Sequence, residues 1–377
     1  MKKILFITGT RADFGKLKPL ICAADQSPDF EVTVFATGMH LHHKHGLTVT
    51  EIEKSGIKNI FRYYNFTTES TMELTLAKTI EGVSSYIREE PPDLIVIHGD
   101  RVEALAGAIS GALNNILVAH IEGGEVSGTI DEFLRHSTSK MSHIHLVANE
   151  PAKKRLVQMG EFPQTVFVIG SPDIDVMLSD DLPSLEYVKD RYDIRFEQYG
   201  ILMFHPVTTE VDEIEEHVDA LVDAVQGSGR NYVVINPNND VGSSVILAGY
   251  KAFENNPKFR SFPSIRFENF LVLLKNCAFI MGNSSAGIRE APYYKVPTVN
   301  IGSRQSGRSV REDIIHCGYE KAEIRQAIDD VDRYVPIHHD DHFGAGNSSE
   351  QFMALLHNPR FWETAKQKRF NDLQVDA

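Results

Sequence analysis

The stretch that decides the fold begins at Ile116 and reads Ile116-Leu-Val-Ala-His-Ile-Glu-Gly-Gly-Glu-Val-Ser-Gly-Thr-Ile-Asp131. An apolar run, 116–119, has the composition of a buried strand and leads through glycines into a helical pattern. Between His120 and His136 stand four acids, one arginine, two histidines and three glycines. Open parallel sheets bind ligands where their strands end, so this stretch predicts the functional loop of an α/β fold.

The same alternation of strand and helix extends along the whole chain. Strands are predicted at 3–8, 31–36, 94–98, 116–120, 166–169, 200–204, 232–235, 279–281 and 298–301. Helices are predicted at 70–89, 102–114, 150–159, 213–226, 243–255, 267–276, 321–329 and 351–368. The pattern predicts an α/β protein with two Rossmann-like, doubly wound domains facing a cleft. We assign residues 1–171 and 172–355 to these domains, with 171–197 as the linker region, and 356–377 to a closing helix that can pack back on the first domain.

Composition and charge restrict the kind of partner. The chain has 377 residues, 42% of them hydrophobic and 24% charged, as in soluble globular proteins. A formal charge of −14 opposes binding to nucleic acid or to an anionic membrane surface. No apolar run approaches the ~20 residues of a membrane span. Three widely spaced cysteines suit a reducing compartment, so we expect a cytoplasmic protein.

In the first predicted domain, charged side chains follow the strand ends. Arg11 could bind a phosphate after strand one, although a plain strand-to-helix turn explains the same residues. Asp100 and Arg101 follow another strand, as a catalytic acid beside a phosphate contact or as a structural ion pair. Asp131 and Arg135 are spaced for pairing on one helix face. That structural explanation does not extend to Glu122, which stands in a glycine-rich loop.

The second predicted domain repeats this placement. His205 follows its first strand and precedes a proline, which keeps the backbone extended, and both a functional and a hydrogen-bonded structural histidine fit this position. Ser284 and Ser285 follow a later strand and open a helix, which suits a pyrophosphate, while an ordinary helix cap is compatible with that role. Glu290, one turn further, could accept hydrogen bonds from a ribose.

A basic loop and two weaker patterns complete the candidates. Arg304 and Arg308 stand in Gly302-Ser-Arg-Gln-Ser-Gly-Arg308, which suits phosphate in an otherwise acidic chain, or a solvated loop. The histidines at 40, 42, 43 and 45 have no cysteine or carboxylate close by in the sequence, so we predict a polar loop and no metal site. Asp173-Ile-Asp175 has the form found in metal-dependent sugar transferases, but we interpret it as the start of a helix.

Taken together, these motifs resemble the hydrolysing UDP-N-acetylglucosamine 2-epimerases of sialic-acid-type pathways. The non-hydrolysing relatives carry His-Val-Glu-Ala-Gly where this chain has His120-Ile-Glu-Gly-Gly124. The resemblance covers nearly the whole chain, and the fold that it implies is the two-domain glycosyltransferase-B type. The motifs that carry it are Thr8-Gly-Thr-Arg11, Thr37-Gly-Met-His40, His98-Gly-Asp-Arg101, the stretch from His120 to Asp131, Arg135-His136, His205-Pro-Val-Thr-Thr209, Pro237-Asn-Asn-Asp240, Gly282-Asn-Ser-Ser285 and Arg304-Gln-Ser-Gly-Arg308.

The resemblance implies a reaction and a set of residues. UDP-GlcNAc and water would give UDP and N-acetylmannosamine through elimination to 2-acetamidoglucal and rehydration, with no cofactor and no metal. The implied acid/base set is Asp100, Glu122 and Asp131, assisted by His205. The implied substrate- and UDP-binding set is Arg11, Arg101, Arg135, His136, Ser284, Ser285, Glu290, Arg304 and Arg308. The partner would be the nucleotide sugar, and the protein a homo-oligomer, a dimer or a tetramer.

Three alternatives stay open from the sequence. Phrases such as Gly9-Thr-Arg-Ala-Asp-Phe14 and Phe262-Pro-Ser-Ile-Arg-Phe-Glu268 also look like the legionaminic-acid branch. That branch would perform the same reaction on a UDP- or GDP-linked 2,4-diacetamido-2,4,6-trideoxy sugar. A glycosyltransferase or a non-catalytic nucleotide-sugar regulator could use the same fold. The acid-rich motif at 122–131 disfavours both.

Overall fold

The chain forms two compact units. The computed structural model describes residues 1–43, 46–65, 71–127, 130–238, 240–305, 314–334 and 342–372. The first unit comprises Met1–Glu125, Asp131–Ser179 and His342–Ala377, and the second comprises Val126–Ile130 and Asp180–Asp341. No helix in the described ranges is both long enough and apolar enough to cross a membrane.

The first unit is built on a parallel sheet, for which its described residues supply seven strands. Their order is β3-β2-β1-β4-β5-β6-β7. The strands are β1 (Lys2–Thr8), β2 (Phe30–Ala36), β3 (Asn59–Arg62), β4 (Leu94–His98), β5 (Leu117–Ile121), β6 (Ile144–Val147) and β7 (Val166–Val168). The helices are α1 (Arg11–Gln26), α2 (Val49–Lys54), α3 (Met72–Glu89), α4 (Val102–Leu113), α5 (Ile130–Met141), α6 (Glu150–Gln158), α7 (Pro172–Met177), and, at the end of the chain, α14 (Ser348–Leu356) and α15 (Pro359–Trp362).

The second unit repeats the architecture with six parallel strands among its described residues, in the order β10-β9-β8-β11-β12-β13. These are β8 (Gly200–Met203), β9 (Tyr232–Ile235), β10 (Phe259–Phe262), β11 (Phe279–Gly282), β12 (Thr298–Ile301) and β13 (Ile315–Cys317). The helices are α8 (Leu185–Arg191), α9 (Ile214–Gly227), α10 (Ser243–Tyr250), α11 (Phe267–Lys275), α12 (Glu290–Tyr293) and α13 (Lys321–Asp330). The prediction of an α/β protein with two doubly wound sheets is confirmed.

Both faces of the first sheet are buried, which explains the nearly continuous apolar strands. Along β1, Ile4 and Phe6 pack in one cluster with Leu17 of α1. Leu5 and Ile7 point to the other face and pack in a second cluster with residues of α3 and α4. Burial on both faces removes the alternation of polar and apolar residues that one-sided strands show. The carboxyl ends of the strands are therefore the places where polar side chains accumulate.

Four short strands escaped the sequence prediction. β3 is mostly exposed, so its sequence carries no buried apolar run that would predict a strand. In the described sheet it pairs only with β2. The others are β6, β10 and β13, three or four residues each. The predicted helix at 351–368 is wrong in its extent. α14 ends at Leu356, α15 covers only Pro359–Trp362, and Pro359 cannot continue the hydrogen bonding of α14.

The end of the chain packs in the first unit. The returning segment starts at His342, earlier than the predicted boundary at 355. Asp175 explains how α14 is held. Its carboxylate accepts hydrogen bonds from the backbone N–H of Ser348 and of Ser349, at 2.9 and 2.8 Å, and caps the helix. Phe352 packs edge-on against Phe6 with ring centroids 6.2 Å apart. Residues 171–197, predicted as a linker region, contain α7 and α8, so the prediction that Asp173-Ile-Asp175 starts a helix is confirmed.

Candidate functional site

Glu122 stands directly after β5 in a strained turn. Its φ is 61°, in the left-handed region that residues with a side chain rarely adopt. Its backbone N–H donates to the carbonyl of Leu146 at 2.9 Å. Gly124 has φ 77°, and a Cβ there would lie 2.4 Å from the carbonyl oxygen of Ala152. The close approach requires glycine at 124 and fixes the turn that holds the Glu122 carboxylate, which is only 4% exposed.

A histidine that the sequence prediction did not assign lies between two carboxylates. His98 Nε2 is 3.1 Å from Glu122 Oε2, and His98 Nδ1 is 3.1 Å from Asp13 Oδ1. Ser171 donates its hydroxyl to the other oxygen of Glu122. Burial by itself would lower the pKa of His98, but Glu122 and Asp13 outweigh it and raise that pKa to about 9. His98 is therefore an imidazolium at neutral pH, with a carboxylate facing each ring nitrogen.

Asp13 connects this cluster to the loops after β1 and β2. Its Oδ2 accepts from the Thr8 hydroxyl at 2.8 Å and from the Gly9 N–H at 3.0 Å. The same hydroxyl lies 3.0 Å from His40 Nε2, and His40 Nδ1 lies 2.8 Å from the Thr48 hydroxyl. Burial lowers the pKa of His40 to about 4, so its ring is neutral. His40 is thus a buried structural link, and the prediction of a polar loop is wrong for this residue.

Asp100 and Arg135 form an ion pair that joins the loop after β4 to α5. Arg135 is only 2% exposed, and its Nη1 also donates to the Glu125 carbonyl at 3.2 Å. Asp131 lies one turn earlier on the same helix. The sequence spacing predicted Asp131 as the partner of Arg135. The structure adds Asp100, which no local spacing can reveal, because it comes from a different strand.

His120 makes a second connection between α5 and the Asp100 loop. Its Nε2 donates to the Gly99 carbonyl at 2.8 Å, and its Nδ1 accepts from the Ser139 hydroxyl at 3.0 Å. Burial lowers the pKa of His120 to about 3, which keeps the ring neutral and consistent with these two roles. These two contacts occupy both ring nitrogens, so His120 supports the site by holding the backbone of the loop at Gly99.

Three predicted binding residues of the first unit make contacts with carboxylates. Arg11 Nη2 is 2.9 Å from Glu51 Oε1. Arg101 Nε lies 3.6 Å from the buried Glu103, and His136 Nε2 lies 3.5 Å from Glu132 one helical turn away. Arg11 and Arg101 follow β1 and β4, which are neighbours in the sheet, so both belong to the same edge as Asp100 and Glu122. Their roles in binding remain predictions.

In the second unit, His205 follows β8 and is fixed by two asparagines. Asn283 accepts from the His205 N–H at 2.7 Å and donates to its carbonyl at 2.9 Å. His205 Nδ1 accepts from the Asn238 N–H at 3.1 Å, which places the ring proton on Nε2. Burial first, and Arg304 second, lower the pKa of His205 to about 3. The ring is therefore a neutral hydrogen-bond donor at physiological pH.

The serines after β11 form a tight polar turn beside His205. Gly282 has φ 123°, and a Cβ there would lie 1.9 Å from the Met203 carbonyl oxygen. Ser284 accepts from the Ala286 N–H at 3.3 Å and caps a short 3-10 helix, Ser285–Gly287. The serines therefore open a helix, as predicted, but it is this 3-10 turn and its cap is Ser284; α12 begins only at Glu290, which is buried.

The loop after β12 closes on this turn. Arg304 Nη1 donates to the Asn283 carbonyl at 3.3 Å, and Arg308 lies outside the described residues. Glu210, which the sequence prediction missed, accepts from the Ser303 hydroxyl and, at 2.6 Å, from Tyr319 OH. Burial and Glu210 raise the pKa of Tyr319 to about 12, so it stays a donor. The serine turn, His205 and Arg304 thus share Asn283 as a common anchor.

The arrangement offers acid/base groups in the first unit and donors for an anion in the second. His98 and Asp13 could have been found from the sequence, since both lie within strand-end motifs beside Asp100 and Arg11. Within the described ranges, no group of three or more histidine, cysteine, aspartate or glutamate side chains is arranged to hold a metal ion. The catalytic and binding assignments remain predictions of the sequence.

Comparisons with known proteins agree with one another. The family model described as UDP-N-acetylglucosamine 2-epimerase matches residues 22–357. A UDP-N-acetylglucosamine 2-epimerase of Neisseria meningitidis serogroup B is 49% identical, over 100% of both chains. A hydrolysing UDP-N,N'-diacetylbacillosamine 2-epimerase of Legionella pneumophila is 32% identical, over 94% of this chain and 96% of its own. The structure of a Methanocaldococcus jannaschii UDP-GlcNAc 2-epimerase in complex with UDP-GlcNAc and UDP has a TM-score of 0.81 at 22% identity, covering 94% of this chain and 99% of its own.

Proposed function

Because the chain belongs to the UDP-N-acetylglucosamine 2-epimerase family, we propose that it is a hydrolysing member. It converts UDP-GlcNAc and water to N-acetylmannosamine and UDP by elimination to 2-acetamidoglucal and rehydration. The observation that carries the proposal is the pair of acid/base candidates at the ends of neighbouring strands. Asp100 follows β4 and Glu122 follows β5, each held by a cationic side chain.

The first step needs a base that removes a weakly acidic proton from C2 while UDP leaves C1. Asp100, Glu122 and Asp131 form the proposed acid/base set. Glu122 is fixed by Ser171 and by the His98 imidazolium, so its carboxylate cannot rotate freely before reaction. A fixed carboxylate loses less orientational freedom in the transition state, which is where positioning contributes to rate.

The departing diphosphate needs charge stabilisation. We propose that Arg11, Arg101 and Arg135 contribute from the first unit. The second unit contributes Ser284, Ser285 and Arg304, with Arg308 assigned by resemblance alone, while His136 belongs to the proposed binding set and Glu290 binds the ribose. His205 is neutral with its proton on Nε2, which suits hydrogen bonding to an anionic oxygen. It acts in this proposal as a donor that assists departure and not as a base.

A second candidate keeps the reaction and changes the sugar. The relative from Legionella pneumophila is named for UDP-N,N'-diacetylbacillosamine, a 2,4-diacetamido sugar. The greater identity to the Neisseria meningitidis enzyme favours UDP-GlcNAc. A GDP-linked substrate and a glycosyltransferase activity are less favoured. A homo-oligomeric state and a cytoplasmic location stay predictions of the sequence.

Proton NMR of the purified protein with UDP-GlcNAc in deuterated water tests the proposal. We expect UDP together with free N-acetylmannosamine that carries deuterium at C2, because elimination breaks the C2–H bond and solvent supplies the new hydrogen. UDP-N-acetylmannosamine without free sugar would instead indicate the non-hydrolysing reaction. An unchanged spectrum, followed by no reaction of the UDP- and GDP-linked 2,4-diacetamido sugars, would refute the proposal.

A further inference from the structure

The last turn of α5 is capped by a lysine from the far end of the chain. Lys368 Nζ donates to the carbonyls of Ser139, Lys140 and Ser142 at 3.0, 2.9 and 2.6 Å. The final carbonyls of an α-helix have no partners within the helix and carry the negative end of its dipole. An ammonium group that meets three carbonyls at this end fixes the helix along its axis.

A buried carboxylate holds that ammonium in place. Glu161 Oε2 lies 2.7 Å from Lys368 Nζ and 2.9 Å from His145 Nε2, while Glu161 Oε1 lies 2.7 Å from Lys140 Nζ. Burial lowers the pKa of Lys368 to about 8, against the opposing effect of Glu161. The lysine therefore remains mostly charged at neutral pH, and its position is determined by four acceptors.

Neighbouring residues secure the same segment, 366–371, which we call the C-terminal strap. His143 Nε2 donates to the Lys366 carbonyl at 3.0 Å, and the Asn371 N–H donates to the Gly160 carbonyl at 2.9 Å. The ring of Phe370 covers Gly160 so closely that a Cβ there would lie 2.3 Å from it. The strap is irregular in backbone yet attached at several points to the first unit.

The opposite end of α5 carries the proposed chemistry. Asp131 lies in its first turn and Arg135 one turn later, paired with Asp100. Ser139, whose carbonyl binds Lys368, uses its hydroxyl to reach His120, and His120 holds the Gly99 carbonyl next to Asp100. A shift of α5 would therefore displace both a carboxylate on the helix and the loop of a second carboxylate.

We propose that Lys368 is a positioning residue for the acid/base set and that the C-terminal strap sets the axial position of α5. This inference rests on the proposed function, since it assigns Asp100 and Asp131 to the reaction. The strap belongs to the first unit, whereas the proposed diphosphate contacts Ser284, Ser285 and Arg304 belong to the second. Its loss affects turnover more than substrate binding.

The test compares Lys368→Met with Lys366→Met, a change of the same kind at an exposed side chain of the same strap. Lys368→Met should lower kcat roughly 10- to 100-fold, because displacements of about 1 Å can cost this much. KM should rise by a smaller factor than kcat falls, since α5 carries only Arg135 and His136 of the proposed binding set. Hydrogen exchange of amides in 130–141 should accelerate in Lys368→Met and remain unchanged in Lys366→Met. Lys368→Arg, which keeps the charge, should recover part of kcat.

Trp362→Phe separates positioning from general stability. It removes the hydrogen bond from Trp362 Nε1 to the Leu356 carbonyl, in another part of the same unit. We expect a lower Tm with unchanged kcat and unchanged exchange in 130–141.

If folded Lys368→Met keeps kcat within about twofold of wild type, or loses activity without faster exchange in α5, the inference is overturned. If Lys368→Met does not fold, Lys368→Gln, which removes the charge but keeps a hydrogen-bond donor, is judged by the same criteria. Wild-type protein without turnover would refute the proposed function, whereas the exchange data would still decide whether the strap holds α5.

Discussion

Replacing His98 with glutamine removes the cation between Asp13 and Glu122 and leaves an uncharged side chain that can still donate a hydrogen bond. The His98 side chain is 10% exposed, so solvent screens its contacts with the two carboxylates only weakly. The structure raises the pKa of His98 from 6.5 to about 9. That difference corresponds to roughly 3 kcal/mol of stabilisation of the folded state.

The sign of the pH dependence follows from the direction of the shift. Because the pKa of His98 is higher in the folded than in the unfolded state, the folded state binds the proton more tightly. The stabilisation is fully present below pH 6.5 and is lost as pH rises through about 9. His98→Gln should therefore lose most stability at pH 6 and much less at pH 9.5.

Urea unfolding followed by tryptophan fluorescence measures this difference, because Trp362 is the single tryptophan of the chain and lies in the first unit with His98. The quantity to compare is the wild-type minus variant free energy of unfolding at each pH, in which titrating groups that do not contact His98 cancel. His357→Gln, at a half-exposed histidine, is the matched control and should show no such trend. A difference for His98→Gln that stays constant from pH 6 to pH 9.5 would refute the assignment of His98 as a buried cation. The variant should also lose roughly 10²- to 10⁴-fold in kcat if His98 supports Glu122 in acid/base chemistry.

Three further predictions follow from the geometry of the site. Glu122→Gln should abolish turnover while UDP still binds in isothermal titration calorimetry, because the shape of the side chain is kept and only its acid/base function is removed; turnover like wild type would contradict the catalytic role. Gly124→Ala should destabilise the first unit by about 1–3 kcal/mol in urea, since its Cβ meets the Ala152 carbonyl at a positive φ, and an unchanged midpoint would contradict the turn geometry. Stability should fall as pH drops below 6.5, because burial lowers the pKa of three histidines to about 4 or 3 and the unfolded state takes up their protons first. These are His40, His120 and His205. Urea midpoints that stay constant between pH 6.5 and pH 4.5 would contradict their burial in the neutral form.

The sequence predicted strands that are buried on both faces, such as β1, β4 and β5, where burial demands continuous apolar side chains. β6 is equally buried but was missed, because the buried His145 interrupts its short apolar run. β3 escaped because an exposed edge strand carries no such pattern. The closing helix was overextended because apolar spacing continued past Pro359, where the hydrogen-bond ladder stops. The apolar pattern thus identifies long, uniformly apolar elements and is weak in short strands and where burial changes within a few residues.

Candidate residues at the strand ends were identified from the sequence because each strand end could be recognised locally. The partners of these residues were not. The Asp100–Arg135 pair joins two elements that are separated along the chain, and His98 acquires its charge from Asp13 and Glu122, which follow different strands. A pKa of about 9 for a histidine depends on two carboxylates brought to it by folding.

By itself, the sequence determined the doubly wound α/β architecture and the sheet edge at which acids and arginines collect, because hydrophobic periodicity and strand-end chemistry are local properties. Only the tertiary structure decided which charges face each other, which histidines are neutral, and that Lys368 caps α5. Those features arise from contacts between residues far apart in the chain. Burial of these residues weakens solvent screening and so strengthens each ionic interaction.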